Sequence, residues 1–294
     1  MTAVSFLGLG ELLWDCFPDR RLPGGAPANV AFHAQQLGLS AATVTRVGCD
    51  PLGDEICGFL KSQGLCLDLV QRDPFHGTGT VTVETALAGT KYTFKPDSAW
   101  DFLEAAPPLL AAMRAAKAVC FGTLAQRSLV SREAIHACLE SVTADCQVVY
   151  DVNLRPPFYD REWIERSLCR ATIVKLNDDE VQVLAAMLGT NASDITTFAK
   201  WLLSQFDIDL ACITRGGDGC LLVCKNETVD VAGPHAAKVG FQRPERCAIG
   251  PVEAARTNAP LRDESRFPEH AKVLRDGGPA HVEGVRNLAR GPLG

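Results

Sequence analysis

The feature that most constrains this chain is a regular alternation between short apolar runs and longer amphipathic stretches. The apolar runs have the length of buried strands and are Val4–Leu9, Ala42–Val47, Ala118–Phe121, Gln147–Tyr150, Ile173–Leu176, Leu210–Thr214 and Leu221–Val223. The candidate helices between them are Pro27–Leu37, Leu52–Gln63, Ser131–Val142, Asp160–Cys169, Asp178–Leu188 and Ser193–Gln205. This order predicts an α/β fold with a mostly parallel central sheet, in which ligands bind at the carboxyl ends of the strands.

Two regions interrupt the alternation. From Gly77 to Phe94 the residues are strand-like on both sides of Ala88-Gly89, which predicts a hairpin that projects from the main sheet as a small lid. The second interruption is the segment 240–294, which contains six prolines and eight arginines but few aromatic residues. Such a segment has little apolar surface to bury, so we expect a disordered tail after a domain that spans residues 1–239.

Composition excludes several classes of protein. The formal net charge is -6, whereas a protein whose main partner is nucleic acid usually carries a basic excess. No apolar run approaches the roughly 18 residues of a membrane span, and the N-terminal residues do not resemble a signal peptide. The 12 cysteines are scattered singly, which is typical of reduced thiols. We therefore expect a cytoplasmic protein with neither a nucleic-acid nor a membrane partner.

A glycine-rich turn precedes the first candidate helix. Gly24 and Gly25 would let the backbone approach a ligand without a side chain in the way, and Asn29 lies on the first turn of the helix. Upstream, Asp15 follows the first strand, where a carboxylate can accept hydrogen bonds from two ligand hydroxyls. Each feature alone also fits an ordinary structure, namely a strand-to-helix turn and a solvated loop carboxylate.

Two further loops follow central strands. Arg155, within the segment Asp151–Pro157, could offer its guanidinium to a phosphate oxygen, although the segment is also compatible with an ordinary loop. Asn177 and Glu180 lie three residues apart at a helix start, so they could converge on a cation or on its waters. The same spacing also fits an N-cap residue and a capping box.

The loop Thr214–Gly219 contains three glycines in four residues. Gly216 and Gly219 could help it to wrap around a nucleotide, because glycine tolerates backbone conformations that other residues avoid. A glycine-rich hairpin between two strands would need no ligand, so both interpretations stay open for this loop.

In this order and spacing, the segments resemble the ribokinase-like (PfkB-type) carbohydrate kinases, and among them the fructokinases most closely. The resemblance spans about Val4 to Val239. It rests on four segments: Gly10-Glu11-Leu12-Leu13, Pro23-Gly24-Gly25-Ala26-Pro27-Ala28-Asn29-Val30-Ala31, Arg46-Val47-Gly48-Cys49-Asp50-Pro51-Leu52-Gly53 and Asp151-Val152-Asn153-Leu154-Arg155-Pro156-Pro157. It implies a three-layer sandwich with a β-lid around residues 12–22 and 77–95. The implied reaction is ATP-dependent phosphorylation of a sugar hydroxyl, with fructose as the expected sugar and Mg2+ bridging the nucleotide phosphates.

The resemblance also implies which residues bind the sugar. The hydroxyls would be held by Asp15, Gly24, Gly25 and Asn29, and the lid residue Phe94 would cover the sugar. Kinases of this type often pair through their lids, so a homodimer is a further expectation.

On the phosphate side, the resemblance places Arg155 near the transferred group. Asn177 and Glu180 would organise the metal and its waters. The nucleotide loop would consist of Thr214, Gly216 and Gly219.

One motif of the resembling family is absent from this sequence. The family carries Asp-Thr-x-Gly-Ala-Gly-Asp shortly after the strand that here reads Thr228–Val231; its glycines stabilise the transferring phosphoryl group and its last Asp takes the proton from the attacking hydroxyl. Here Ala237-Lys238-Val239 is followed by Gly-Phe-Gln-Arg-Pro-Glu-Arg-Cys, and Gly-Ala-Gly-Asp does not occur downstream. We therefore expect an incomplete C-terminal part of the fold and an impaired or inactive kinase.

Two other interpretations stay open. The chain could be an active kinase whose base is recruited from Asp263 or Asp276 in the tail, or it could be a non-catalytic sugar-binding or regulatory module. The abrupt change after Val239 favours a shifted reading frame or a misjudged gene end over gradual divergence.

Overall fold

The computed structural model describes residues 4–86 and 89–233. Ala88 of the predicted lid turn, the segment after the last strand where the family motif was sought, and the predicted tail at 240–294 lie outside the described residues. The strands are β1 (Phe6–Leu9), β2 (Leu13–Cys16), β3 (Arg21–Gly24), β4 (Ala41–Gly48), β5 (Val70–Asp73), β6 (Gly79–Ala86), β7 (Gly89–Phe94), β8 (Ala118–Gly122), β9 (Gln147–Asp151), β10 (Ile173–Asn177), β11 (Leu210–Thr214), β12 (Cys220–Cys224) and β13 (Thr228–Val231).

The helices follow the predicted alternation. They are α1 (Ala26–Gln36), α2 (Pro51–Ser62), α3 (Pro107–Ala115), α4 (Leu129–Ser141), α5 (Arg161–Leu168), α6 (Asp178–Leu188) and α7 (Ile195–Phe206). Among the described residues, no helix has the length and hydrophobicity needed to cross a membrane.

The main sheet has nine strands in the order β13-β12-β11-β10-β9-β8-β1-β4-β5. Within this sheet, the seven strands β11, β10, β9, β8, β1, β4 and β5 pair in parallel with their neighbours. Strands β12 and β13 add antiparallel pairs at one edge. The chain builds outward from β1 to β4 on one side and later returns to β8 on the other. This reversal makes the gap between β1 and β8 a topological switch point, where open α/β sheets bind ligands.

Helices cover both faces of this sheet. One hydrophobic cluster joins α1 and α2 to side chains such as Phe6 and Cys120. The opposite cluster joins the helices from α3 to α7 to Leu7 and Phe121. Because neighbouring residues of one strand enter different clusters, the strand lies between two helical layers. The predicted α/β fold with a mostly parallel central sheet is therefore confirmed.

A second, four-stranded sheet in the order β3-β2-β6-β7 stands beside the main one. Its strands β6 and β7 form the hairpin that the strand-like residues between Gly77 and Phe94 predict, with Phe94 paired to Val81. Strands β2 and β3 pair in antiparallel fashion, and β2 runs parallel to β6. These strands occupy the two segments in which the resemblance places a lid.

Candidate functional site

The predicted site residues lie where strands of the main sheet end. Arg155 follows β9, Asn177 ends β10 and Thr214 ends β11. Asn177 and Thr214 are directly paired across the two strands. Parallel strands present their carboxyl ends at one edge, so the phosphate-side candidates share an edge with the loops that leave β1 and β8.

The glycine turn at the start of α1 has a backbone that requires glycine. Gly25 has a φ of 114° and is the N-cap residue of α1. A Cβ atom at this position would lie 2.3 Å from the backbone oxygen of Glu11. The helix also approaches β1 closely, because a Cβ on Gly8 would lie 2.2 Å from the carbonyl oxygen of Pro27. Asn29 is held on the first turn by a 2.9 Å hydrogen bond from its backbone N–H to the backbone oxygen of Gly25.

Glu11 is a site residue that the sequence did not identify as functional. It lies in the loop between β1 and β2 and is only 2% exposed. Its Oε1 accepts a 3.0 Å hydrogen bond from the Ala26 amide, at the start of α1. Burial raises the pKa of its carboxyl to about 7, and the nearby Arg155 guanidinium offsets only part of that rise. The available signals were a lone carboxyl among apolar neighbours and its place in Gly10-Glu11-Leu12-Leu13, one of the segments that carry the family resemblance.

Asp15 lies on β2 and faces the same turn. A Cβ atom on Gly24 would lie 2.4 Å from Asp15 Oδ2, so the glycine makes room for this carboxyl. Burial raises the pKa of Asp15 to about 6, although the Arg155 charge acts in the opposite direction. The structure therefore groups the sugar-side candidates Asp15, Gly24 and Gly25 around one partly buried carboxyl.

Two aromatic contacts connect the lid to the loop after β9. The Arg155 guanidinium lies 6.0 Å from the ring centroid of Tyr92 on β7. Phe94, at the end of the same strand, packs edge-to-face on Phe158 at 5.7 Å. Arg155 thus joins the lid while its charge acts on Glu11 and Asp15.

An open cavity of about 330 Å³ lies at the base of the lid. Its walls are formed by Phe94, Pro96, Asp97, Asp101, Arg127, Ser128 and Phe158. Arg127 donates from Nε and Nη2 to the Asp101 carboxylate at 2.8 and 2.7 Å and lies over the Trp100 ring at 4.0 Å. Its charge is therefore matched inside the protein. Of the predicted sugar-side residues, the walls of this cavity include Phe94 but not Asp15, Gly24, Gly25 or Asn29, so the position of Phe94 over a sugar stays a prediction.

The pair Asn177 and Glu180 forms a capping box at the start of α6. Asn177 Oδ1 accepts from the Glu180 amide, and Glu180 Oε2 accepts from the Asn177 amide, each at 2.8 Å. The other oxygen, Glu180 Oε1, accepts from the Leu154 amide at 2.9 Å. Of the two interpretations of this spacing, the structure contains the capping box, which also ties the loop that carries Arg155 to α6.

These bonds limit what the pair could do for a metal ion. Each Glu180 oxygen already accepts one backbone N–H, and a carboxylate oxygen has one further acceptor position. One acceptor position therefore remains on each Glu180 oxygen, and a role of this pair in organising a metal ion and its waters stays a prediction. Within residues 4–86 and 89–233, His, Cys, Asp and Glu side chains form no group of three or more that could hold a metal ion.

The predicted nucleotide loop is a tight connection between β11 and β12. Thr214 Oγ1 donates to the Leu176 oxygen at 3.4 Å, which links it to the end of β10. Gly216 and Gly219 have φ values of 58° and 93°, and a Cβ on Gly219 would lie 1.9 Å from the Val231 oxygen. The hairpin itself therefore requires glycine at position 219 and favours it at position 216, and its binding of a nucleotide stays a prediction.

Comparisons with known proteins cover this whole region. A model of the pfkB family carbohydrate kinases matches residues 10–240. A fructokinase of Escherichia coli is 29% identical over an alignment of 238 positions, which covers 76% of this chain and 75% of the relative. The match to the family model includes the candidate residues from Asp15 to Gly219.

Solved structures agree with the fold. Fructokinase from Xylella fastidiosa with bound ATP aligns with a TM-score of 0.71 and 21% identity, covering 78% of this chain and 74% of that one. Fructokinase from Vibrio cholerae O395, in a form with fructose, ADP and calcium ion bound, aligns with a TM-score of 0.65 and 25% identity, covering 79% and 77%. The nine-stranded sheet and its helices thus have the architecture of these enzymes.

Proposed function

Because the chain belongs to the pfkB family of carbohydrate kinases, we propose that it binds a hexose and ATP at the carboxyl edge of the main sheet. We further propose that it transfers the phosphoryl group between them poorly. Fructose is the first candidate, since fructokinases are among its relatives. We propose that residues 1–239 form the unit that binds both ligands. We further propose that the protein is cytoplasmic and that two copies pair through their lids.

The observation that carries the sugar half of this proposal is the partly buried carboxyl of Asp15 beside the glycine turn. Its raised pKa reflects burial without enough hydrogen-bond donors, and sugar hydroxyls are such donors. Gly24 makes room for this carboxyl and Gly25 allows the tight turn beside it, and Asn29 on the same turn offers an amide. Phe94 would close over the ring from the lid.

The nucleotide half is supported by the neighbouring strand ends. We propose that Thr214, Gly216 and Gly219 contact the nucleotide, and that Arg155 offers its guanidinium to the transferred phosphate. When bound, Mg2+ would neutralise phosphate charge. Asn177 and Glu180 would orient its waters through the acceptor positions that the capping box leaves over.

Transfer is the step for which this chain lacks groups. Efficient transfer needs a carboxylate that takes the proton of the attacking hydroxyl and amide donors that stabilise the phosphoryl group. The sequence after Val231 does not contain the family motif that supplies both. Loss of a positioned base costs roughly 10²–10⁴-fold in rate, and loss of the amide donors roughly 10²–10³-fold.

A coupled assay of ATP-dependent fructose phosphorylation with the 294-residue chain tests this proposal. The expected result is turnover that is slower than that of the Escherichia coli relative by roughly 10²-fold or more. A rate close to that of the relative would overturn the claim of impairment. If that activity disappears when residues after Val239 are deleted, or in Asp263→Asn or Asp276→Asn, a base recruited from the tail explains it.

A non-catalytic sugar-binding or regulatory module is the alternative function. It is favoured by the same contrast between an intact sugar side and a missing motif. Titration calorimetry distinguishes it: fructose binding that is lost in Asp15→Ala, with neither phosphorylation nor ATP hydrolysis over long incubation, supports this alternative.

A further inference from the structure

Helix α1 begins without a cap from its own N-cap residue. The first amides of a helix need acceptors from outside the helix, and most N-cap side chains provide one. Asp50, Asp160 and Asp194 do so for α2, α5 and α7. Gly25 has no side chain to offer, and its φ of 114° with the close Glu11 oxygen excludes a larger residue.

Glu11 supplies the missing acceptor from 15 residues away. Its Oε1 accepts the Ala26 amide at 3.0 Å, so α1 is capped by the loop that precedes β2. The other oxygen, Oε2, is buried and has no hydrogen-bond partner among the described residues. A ligand cannot reach an atom that is out of contact with solvent, so Glu11 acts on the site through the backbone that it holds.

That backbone carries the proposed sugar contacts on both sides of Glu11. Downstream, β2 starts at Leu13 and bears Asp15, and Leu13 pairs with Gly24 of β3. On the other side, the bond to Ala26 fixes the turn that contains Gly25. The Glu11 carboxyl thus lies where the β1–β2 loop meets the start of α1, and it holds these two backbone segments together.

We propose that Glu11 is a positioning residue of the sugar site, which fixes the start of α1 against β2. The proposal rests on the proposed sugar-binding function. It predicts that loss of the Glu11 acceptor displaces Gly25 and Asn29 relative to Asp15 and weakens sugar binding. The nucleotide loop after β11 is outside this contact, so ATP binding should not change.

Calorimetric titration of fructose and of ATP into Glu11→Ala tests this. We expect the fructose Kd to rise roughly tenfold, the size of a lost N-cap, with the ATP Kd changed less than about twofold. Glu11→Gln keeps an oxygen for the Ala26 amide and should restore fructose binding to within about threefold of the wild type. Asp194→Ala removes a cap of α7 far along the chain and should leave both affinities unchanged.

An equal loss of both affinities in Glu11→Ala, or no loss of fructose affinity, would overturn the proposal. Amide hydrogen exchange without ligand separates it from the proposed function. The Ala26 amide should exchange faster in Glu11→Ala and return to the wild-type rate in Glu11→Gln. If the wild type binds no fructose but exchange responds in this way, the proposed function fails and the effect of Glu11 on α1 stands. If exchange does not respond, the Glu11 proposal fails in either case.

Discussion

The carboxyls of Asp73 and Glu11 are buried and that of Asp15 is partly buried. Their pKa values nevertheless shift in opposite directions, down at Asp73 and up at Glu11 and Asp15. Asp73, at the end of β5, accepts from the Phe75 and His76 amides at 2.8 and 2.9 Å and is paired with Arg46 Nε at 2.8 Å. Burial alone would raise its pKa, but the hydrogen bonds and the Arg46 charge outweigh it and lower the pKa to about 2.

At Glu11 and Asp15 burial prevails instead. Glu11 accepts one backbone bond from outside its own loop, and Arg155 offsets burial only in part, so the pKa values rise to about 7 and about 6. The number of donors around each carboxyl decides the difference. The protein itself supplies the hydrogen-bond donors around Asp73. Around Glu11 and Asp15 it supplies fewer, and a polyhydroxylated ligand would bring such donors.

The largest expected effect is the loss of stability when the buried carboxylate of Asp73 is removed. Asp73→Asn leaves Arg46, whose side chain is 12% exposed, with only the exposed Glu104 as a charged partner, and it should lower the free energy of unfolding by about 3 kcal/mol. Urea denaturation measures this. Asp54→Asn removes a carboxylate that is 73% exposed and paired with Arg72, so it should cost about 0.5 kcal/mol or less. Equal losses in the two variants would contradict the comparison.

The next effect is a loss of fructose affinity when the carboxyl of Asp15 is removed. Asp15→Ala should weaken fructose binding by roughly 100-fold, because two hydrogen bonds to a charged acceptor contribute about 1.5 kcal/mol each. Calorimetry measures it, with ATP affinity as an internal reference. Asp19→Ala is a matched control, since Asp19 lies on the same stretch and its side chain is 73% exposed. Retention of wild-type fructose affinity in Asp15→Ala would exclude Asp15 as a sugar ligand.

A smaller effect concerns pH. Because the folded pKa of Asp15 lies above its ordinary value, the folded chain binds this proton more tightly than the unfolded chain does. The contribution of Asp15 to stability should therefore fall as pH rises from about 4 to about 6 and then level off. Asp15→Asn lacks this loss and should be more stable than the wild type at pH 7.5, by on the order of 1 kcal/mol. Denaturation at pH 5 should give a smaller difference, and a more stable wild type at pH 7.5 would refute the argument.

The smallest expected effect is at an exposed carboxylate. Arg161 pairs with Glu165 one helical turn away at 2.8 Å, and both side chains are solvated. Arg161→Ala should change the free energy of unfolding by about 0.3 kcal/mol, because water replaces the lost donor. A loss comparable to that of Asp73→Asn would mean that burial does not set these energies.

Most of the fold could be predicted because the central strands are recognisable in the sequence as short apolar runs. Runs such as Ala118–Gly122 are apolar throughout, as a strand between two helical layers must be. The strand β5 was missed, since Val-Gln-Arg-Asp is mostly polar and its place beside β4 at the sheet edge depends on tertiary pairing. Helix α3 was also missed, because its Pro-Pro start and alanine-rich turns have weak periodicity.

The candidate site was predictable where its geometry is local. The three-residue spacing of Asn177 and Glu180 anticipates their capping box, and Gly25 anticipates a turn that excludes a side chain. Glu11 could not be found in this way. Its burial and its bond to Ala26 arise only when α1 packs against the loop after β1, a contact that the spacing along the chain does not reveal.

The central claim is that the Asp15 carboxyl is left short of donors so that a sugar can supply them. Hydroxyls that donate to this carboxyl favour its ionised form and lower its pKa, so sugar binding near pH 6.5 should release protons. Calorimetric titration of fructose in two buffers of different ionisation enthalpy measures this directly. The account predicts binding heats that differ between the buffers in the direction of proton release, and identical heats would contradict it.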